Sequence, residues 1–173
     1  MPSDATATEP ERLPEPRLRR QRFVRRIELA ALGLFLLAGL FGVLGSKTDV
    51  VSASAPGVTL TVTYPSITRP GLPIRWEIQV HRDGGFDEPV ELRTTFDYLH
   101  LFDVSNLEPE PSSSTGTSGE IVYVFDPPAG EDFRVSMDGN TEPGIHEVPA
   151  AETSFVLHGA PVVTVEYLTI VVP

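Results

Sequence analysis

The chain has 173 residues, about the length of one domain, and its formal net charge at neutral pH is −11. The charge is unevenly distributed: residues 46–173 contain 19 acidic and six basic residues, a balance that would repel nucleic-acid phosphates. The absence of cysteine excludes disulfides, thiolate metal sites and cysteine nucleophiles. We therefore expect no nucleic-acid partner, and a fold that its hydrophobic core alone stabilises.

Residues 1–26 are predicted to form a disordered, arginine-rich tail, because they begin with a polar, proline-containing stretch. Lys47 is the one basic residue that closely follows the apolar segment after this tail. The positive-inside rule then puts the N-terminus in the cytoplasm and the C-terminal domain outside the cell membrane. The residues that set this expected topology are Arg17, Arg19, Arg20, Arg22, Arg25 and Arg26.

A transmembrane helix is predicted over residues 27–46. Its centre, from Leu29 to Gly45, is 17 residues long and carries no charged or polar side chain. At a rise of ~1.5 Å per residue it covers ~25 Å, close to the ~30 Å of a bilayer's hydrocarbon core. The lipid bilayer is therefore the first expected partner, and the helix is expected to be a signal anchor. A cleaved signal peptide is the alternative, with Ala53-Ser54-Ala55 as its cleavage pattern.

A face of small residues is predicted on this helix, where Ala38, Gly42 and Ser46 are spaced four apart. Such a face allows a second membrane helix to approach closely. Gly and Ala are also common in membrane helices that make no such contact, so this pattern leaves both interpretations open.

An all-β domain is predicted over residues 57–173, after a tether at residues 47–56. Apolar and polar residues alternate in Pro73–His81, where Trp76 lies among the apolar positions and is expected to anchor the core. The segment Phe96–Val104 fits either a strand or a helical turn, and residues 106–119 are expected to form a mobile loop. The further predicted strands are Gly57–Tyr64, Val90–Phe96, Glu120–Phe125, Phe133–Met137, Ser154–Leu157 and Val162–Val172, the last a long strand with a bulge near Tyr167-Leu168.

Three segments resemble bacterial cell-surface immunoglobulin-like repeats of the conserved-repeat or CARDB type. Residues 70–80 (PGLPIRWEIQV) are similar to the second strand of these repeats, residues 127–135 (PPAGEDFRV) to a turn and the strand after it, and residues 168–173 (LTIVVP) to the closing strand. The resemblance covers residues 57–173 and implies a single immunoglobulin-like antiparallel β-sandwich. It also implies a presentation or adhesion module without an active site, although the chain has one such unit where these proteins have arrays.

Acidic turns are the candidate binding sites, because oxygen-rich turns at one end of a sandwich can hold calcium. None has the regular spacing of a calcium loop, and solvated acidic loops are the alternative interpretation. The three clusters are Asp83, Asp87 and Glu88; Asp126, Glu131 and Asp132; and Asp138, Asn140 and Glu142. The histidines are scattered without the spacing of metal ligands, and they are His81, His100, His146 and His158.

The sequence predicts no catalytic residue, no cofactor and no metal site, because no nucleophile and base can be paired. Two functions remain open. One is a membrane-anchored interaction module whose acidic domain contacts a protein or an envelope component. The other is an accessory subunit that docks through its helix in an integral membrane protein complex.

Overall fold

The structure, a computed structural model, describes residues 15–40, 45–117, 119–143 and 150–172. The chain divides into two compact units, residues 1–45 and residues 46–173, and each is described separately.

Within the first unit, the structure describes one helix, α1 (Glu15–Leu40). Pro16 occupies the first turn, where its missing N–H does no harm, and arginine, leucine and alanine favour the turns that follow. The helix includes residues 15–26, so the prediction that this arginine-rich segment is disordered is corrected. Within the part of the chain that the structure describes, no helix is both long enough and apolar enough to cross a membrane.

The described residues of the second unit are all-β, as predicted, apart from one helical turn, α2 (Phe96–Leu99). Its strands form two mainly antiparallel sheets. The first sheet contains, in spatial order, β1 (Lys47–Ala55), β2 (Val58–Thr68), β3 (Pro73–Arg82), β8 (Asp132–Thr141) and β5 (Phe102–Glu108), with β11 (Ile170–Val171) paired to β2. The second contains β10 (Ala160–Tyr167), β9 (Ala151–Leu157), β4 (Val90–Thr95), β7 (Glu120–Phe125) and β6 (Ser113–Gly116).

Two segments that were predicted to be irregular belong to the sheets. The expected tether at residues 47–56 is mostly β1, which pairs with β2 along its whole length. Alternate residues of β1 pack against the core. The hydrophobicity pattern did not predict this strand, because serine and alanine are frequent in it. The expected loop at 106–119 contains the end of β5 and all of β6.

Two other segments each contain two elements. The ambiguous segment 96–104 contains both alternatives, since α2 is followed by the first residues of β5. The prediction of a single strand over Val162–Val172 with a bulge near Tyr167 is corrected, because β10 ends at Tyr167 in the second sheet and β11 begins at Ile170 in the first.

One hydrophobic core lies between the two sheets, and alternate residues of most strands face it. On β3 the alternation is complete: Ile74, Trp76, Ile78 and Val80 are buried. Trp76 has no solvent exposure, which confirms that it anchors the core.

β1 runs from one end of the all-β unit to the other. Nine residues at ~3.3 Å per residue place its first and last residues ~26 Å apart. The end where β1 begins at Lys47 is called the proximal end here. The opposite end contains the turn at Pro56-Gly57 and the loops at 83–89 and 126–131.

Candidate functional site

Two of the three predicted acidic clusters meet at the end of the unit opposite Lys47. β3 and β8 are neighbours, and His81 pairs with Asp132 at their ends, so the loop after β3 and the loop before β8 lie side by side. We call this region the acidic end. Its carboxylates belong to Asp83, Asp87, Glu88, Asp126, Glu131 and Asp132.

Backbone hydrogen bonds hold the two loops together. The N–H of Arg82 donates to the carbonyl of Glu131 at 2.8 Å, and the N–H of Gly84 donates to the Glu131 carboxylate at 3.0 Å. The N–H of Asp83 donates to the carbonyl of Gly57 at 2.9 Å, which adds the β1–β2 turn to the same structure. The acidic end is therefore built from three connections that are distant in sequence.

Gly85 allows the loops to approach. Its φ of +83° lies in the left-handed region, and a Cβ at this position would lie 3.0 Å from the carbonyl oxygen of Gly130. Gly84 has the same φ, but a Cβ there would meet no atom within 4 Å. Only a glycine satisfies both requirements at position 85 without displacing the neighbouring loop.

His81 lies between two carboxylates of the acidic end. Its Nδ1 is 2.8 Å from Oδ1 of Asp132, and its Nε2 is 3.5 Å from Oδ1 of Asp83. The hydrogen bond that the His81 ring donates to Asp132 raises the pKa of His81. Desolvation opposes this shift, and the negative charges of Asp132, Asp83 and Glu131 add to it. Only the imidazolium form can donate to both carboxylates at once.

A second histidine reaches the same end from the β9–β10 turn. His158 Nε2 lies 3.3 Å from the carboxylate of Glu88. The structure therefore brings His81 and His158 to the acidic end, while His100 follows α2 at the proximal end. His146 lies outside the described residues.

The third predicted cluster is separate from the other two. Asp138 and Asn140 lie on β8, where Asp138 pairs with Arg75 at 3.5 Å, and Glu142 follows the strand at the proximal end. Among the residues that the structure describes, no group of three or more His, Asp or Glu side chains has an arrangement that could hold a metal ion.

The structure describes only part of the predicted face of small residues. Ala38 lies in α1, with its side chain outside the described part of the chain, and Gly42 is outside it entirely. Ser46 is described and is not helical, so its predicted position in a helix over 27–46 is corrected. Of the topology arginines, all six lie in α1, and Arg25 and Arg26 are exposed.

The pairing of His81 with Asp132 was missed by sequence reasoning. The two residues are 51 positions apart, and their contact depends on the antiparallel register of β3 and β8. The one available signal was that each residue lies at the boundary between an alternating segment and a turn.

The exposed carboxylates make the acidic end a negatively charged surface. Asp132 and Asp83 are 86% and 76% exposed, so they are hydrated and their fields are screened over ~8 Å at physiological ionic strength. Grouped exposed carboxylates of this kind raise association rates and discriminate against acidic partners.

No family model matches the sequence, and no curated protein matches it either. Solved structures that align with about three-quarters of the chain are only 12–14% identical, with TM-scores of 0.29–0.35. They include the alkylpurine DNA glycosylase AlkC of Pseudomonas fluorescens (73% of this chain, 31% of that chain, 13% identity, TM-score 0.34). Others are an exo-β-N-acetylglucosaminidase of family GH20 from Vibrio harveyi (74% and 18%, 13% identity, TM-score 0.30) and AvmM, which catalyses macrocyclisation in alchivemycin A biosynthesis (74% and 90%, 12% identity, TM-score 0.35). The chain thus spans less than a third of the first two of these proteins.

Proposed function

We propose that this chain is a non-enzymatic, single-pass membrane protein that presents the acidic end of an immunoglobulin-like β-sandwich outside the cell membrane, for interaction with a protein or an envelope component. The observation that carries the proposal is the combination of an exposed apolar run in α1 with a domain whose acidic loops lie at the end opposite Lys47.

The apolar part of α1 supports a membrane anchor. Leu34, Phe35, Leu36 and Leu37 are consecutive and are 50–72% exposed. Successive helical residues are rotated by about 100°, so these four side chains point in all directions around the axis. A helix that is apolar on all sides is typical of a protein core or a membrane span. The uncharged run continues in sequence to Gly45.

The charges on each side of this run support the orientation. Six arginines precede it, whereas Lys47 alone follows it closely, and cytoplasmic segments carry the excess of basic residues in membrane proteins. The all-β unit would therefore lie outside the membrane.

The geometry of β1 supports presentation of the acidic end. Because Lys47 closely follows the apolar run and Gly57 accepts a hydrogen bond from Asp83, the length of β1 separates the anchor from the acidic loops. The ~26 Å that β1 spans is far greater than a Debye length of ~8 Å. Acidic loops at that distance would feel little repulsion from an anionic membrane surface.

The finer description of the fold as immunoglobulin-like is supported by two mainly antiparallel sheets around one core and by the buried Trp76 on β3. The resemblance to cell-surface repeats implies the same fold and the non-enzymatic role.

Cysteine labelling in intact cells tests the anchor and its orientation, and the cysteine-free sequence makes single-cysteine variants clean probes. We expect Asp87→Cys to react with a membrane-impermeant maleimide in intact cells, and Ser3→Cys to react only after permeabilisation. Labelling of Ser3→Cys in intact cells, or release of the labelled domain as a soluble shortened chain, would contradict the proposal.

Charge reversal tests the acidic end. The double variant D87K/D126K should lose crosslinking to the partner that copurifies with the wild-type chain from intact cells. The matched control is D97K/D103K, which changes the net charge equally at the proximal end. Equal recovery of the partner from both variants would exclude the acidic end as the contact.

The variant Gly42→Leu tests the alternative that the chain is an accessory subunit. If Gly42→Leu released a multi-pass membrane protein that otherwise copurified in stoichiometric amounts, the helix and not the acidic end would carry the interaction.

A further inference from the structure

Residues 168–170, which lead from the end of β10 into β11, expose two apolar side chains at the proximal end. Leu168 and Ile170 are 49% and 52% exposed, whereas Thr169 between them is 1% exposed. The polypeptide therefore alternates apolar-out and polar-in, the reverse of the pattern expected where a β-strand covers a core and faces water.

Hydrogen bonds fix this reversed arrangement. The hydroxyl of Thr169 donates to the carbonyl of Pro65 at 2.6 Å, and it lies 2.8 Å from the hydroxyl of Tyr98. Because Thr169 uses its one proton on Pro65, Tyr98 donates to Thr169. The N–H of Val172 donates to the carbonyl of Thr68 at 2.9 Å. Thr169 is thus held in the interior, and its two neighbours are held outside.

The exposed pair lies beside the first residue of β1. Ile170 pairs with Ile67 of β2, and Ile67 pairs with Lys47 of β1. With strands ~4.8 Å apart, Ile170 and Lys47 are about 10 Å apart across the sheet. Paired residues point to the same face, so Lys47, Ile67 and Ile170 share the outer face of the first sheet.

Covalent geometry limits the distance from this face to the end of the apolar run. Lys47 is two residues after Gly45, which allows at most ~7 Å between them. The headgroup layer on each side of a bilayer is ~5–8 Å thick. If α1 and the residues after it anchor the chain, as proposed above, Lys47 must lie within or just outside the headgroups.

We propose that Leu168, Ile170 and Ile67 form a second membrane contact, which inserts into the headgroup–acyl boundary of the outer surface while the Lys47 ammonium meets lipid phosphates. This inference rests on the proposed anchor and goes beyond it, because a tethered domain need not touch the bilayer. The contact holds the sandwich upright, with its acidic end directed away from the membrane.

The test uses single-cysteine variants of the full chain, each carrying a nitroxide label, in lipid nanodiscs that contain one chain. Leu168→Cys and Ile170→Cys probe the contact. Val162→Cys is the matched control, because Val162 is also apolar and 37% exposed but lies near the start of β10, at the acidic end. Leu36→Cys reports whether α1 is in lipid.

For each label we compare its accessibility to lipid-soluble oxygen with its accessibility to a water-soluble nickel complex. We expect this ratio to be several-fold higher at 168 and 170 than at 162. If the label at 36 lies in lipid while those at 168 and 170 match the label at 162, this inference is overturned and the proposed anchor stands. A label at 36 that is accessible to the nickel complex would overturn both.

A second copy of the chain is the other candidate to cover these side chains. In that case the labels at 168 and 170 would be shielded from the nickel complex in discs with two chains but not in discs with one. This result would assign the surface to self-association and overturn the membrane contact.

Discussion

The indole nitrogen of Trp76 donates a hydrogen bond to the hydroxyl of Tyr167, with 2.9 Å between Nε1 and the phenol oxygen. Trp76 lies on β3 and Tyr167 on β10, so this bond joins the two sheets through the core. The Tyr167 hydroxyl also lies 2.9 Å from Oγ1 of Thr153, which in turn lies 2.9 Å from Oγ1 of Thr94. Burial raises the pKa of Tyr167, so its hydroxyl keeps the proton that it can donate to Thr153.

Replacing Tyr167 with Phe should lower the free energy of unfolding by about 1–3 kcal/mol, because the Trp76 N–H would be left buried without an acceptor. Unfolding of the full chain in detergent can be followed through the fluorescence of Trp76, the chain's one tryptophan. The matched control is Tyr98→Phe, also buried and hydrogen-bonded to a threonine. Its loss should be smaller, since Thr169 keeps its bond to Pro65, and equal losses would contradict this account.

Gly85→Ala should destabilise the acidic end more than Gly84→Ala. Both substitutions put an alanine at a φ of +83°, at a cost of about 1–2 kcal/mol, but only the Cβ at position 85 meets the carbonyl oxygen of Gly130. Hydrogen exchange should therefore show faster opening of the Arg82 and Gly84 amides in Gly85→Ala than in Gly84→Ala. Similar exchange rates in the two variants would mean that the contact between a Cβ at position 85 and Gly130 does not destabilise the loops.

His81 should titrate above its ordinary pKa of about 6.5, and Asp132→Asn should lower that pKa by removing the hydrogen-bonded charge. A raised pKa in the folded state stabilises the fold fully below the unfolded pKa, and this contribution is lost as the pH rises through the folded pKa. NMR chemical shifts of the imidazole between pH 5 and 9 measure the effect. An unchanged titration curve of His81 in Asp132→Asn would show that Asp132 does not affect the pKa of His81.

The sequence predicted the strands whose patterns are local. The alternation in Pro73–His81 predicted β3 and the buried position of Trp76, and Glu120–Phe125 was predicted at its observed bounds. β1 and β6 were missed because serine, threonine and alanine dominate them, so their pairing depends on neighbours and not on an apolar stripe.

The residues of the acidic end could be identified from the sequence, but their grouping at one end of the domain could not. Its turns were identified from glycine, proline and aspartate, which act over a few residues. That the loop at 83–89 lies against the loop at 126–131 depends on the pairing of β3 with β8, and such pairing is set by packing across the whole domain. The same limit applies to Leu168, whose exposure is fixed by the buried hydrogen bonds of Thr169.

His158 in the β9–β10 turn should tolerate asparagine but not a branched side chain. Its φ is +53°, and Gly159 follows with a φ of +78°, the pair of positive values that a two-residue hairpin turn requires. His158→Asn should keep or slightly raise the melting temperature, because asparagine favours the left-handed region, at the cost of an exposed contact with Glu88 worth at most about 1 kcal/mol. His158→Val should lower the free energy of unfolding by about 1–2 kcal/mol, because a branched Cβ crowds the backbone at positive φ. Thermal unfolding of both variants measures the difference, and a valine variant as stable as the asparagine variant would show that the turn changes its conformation.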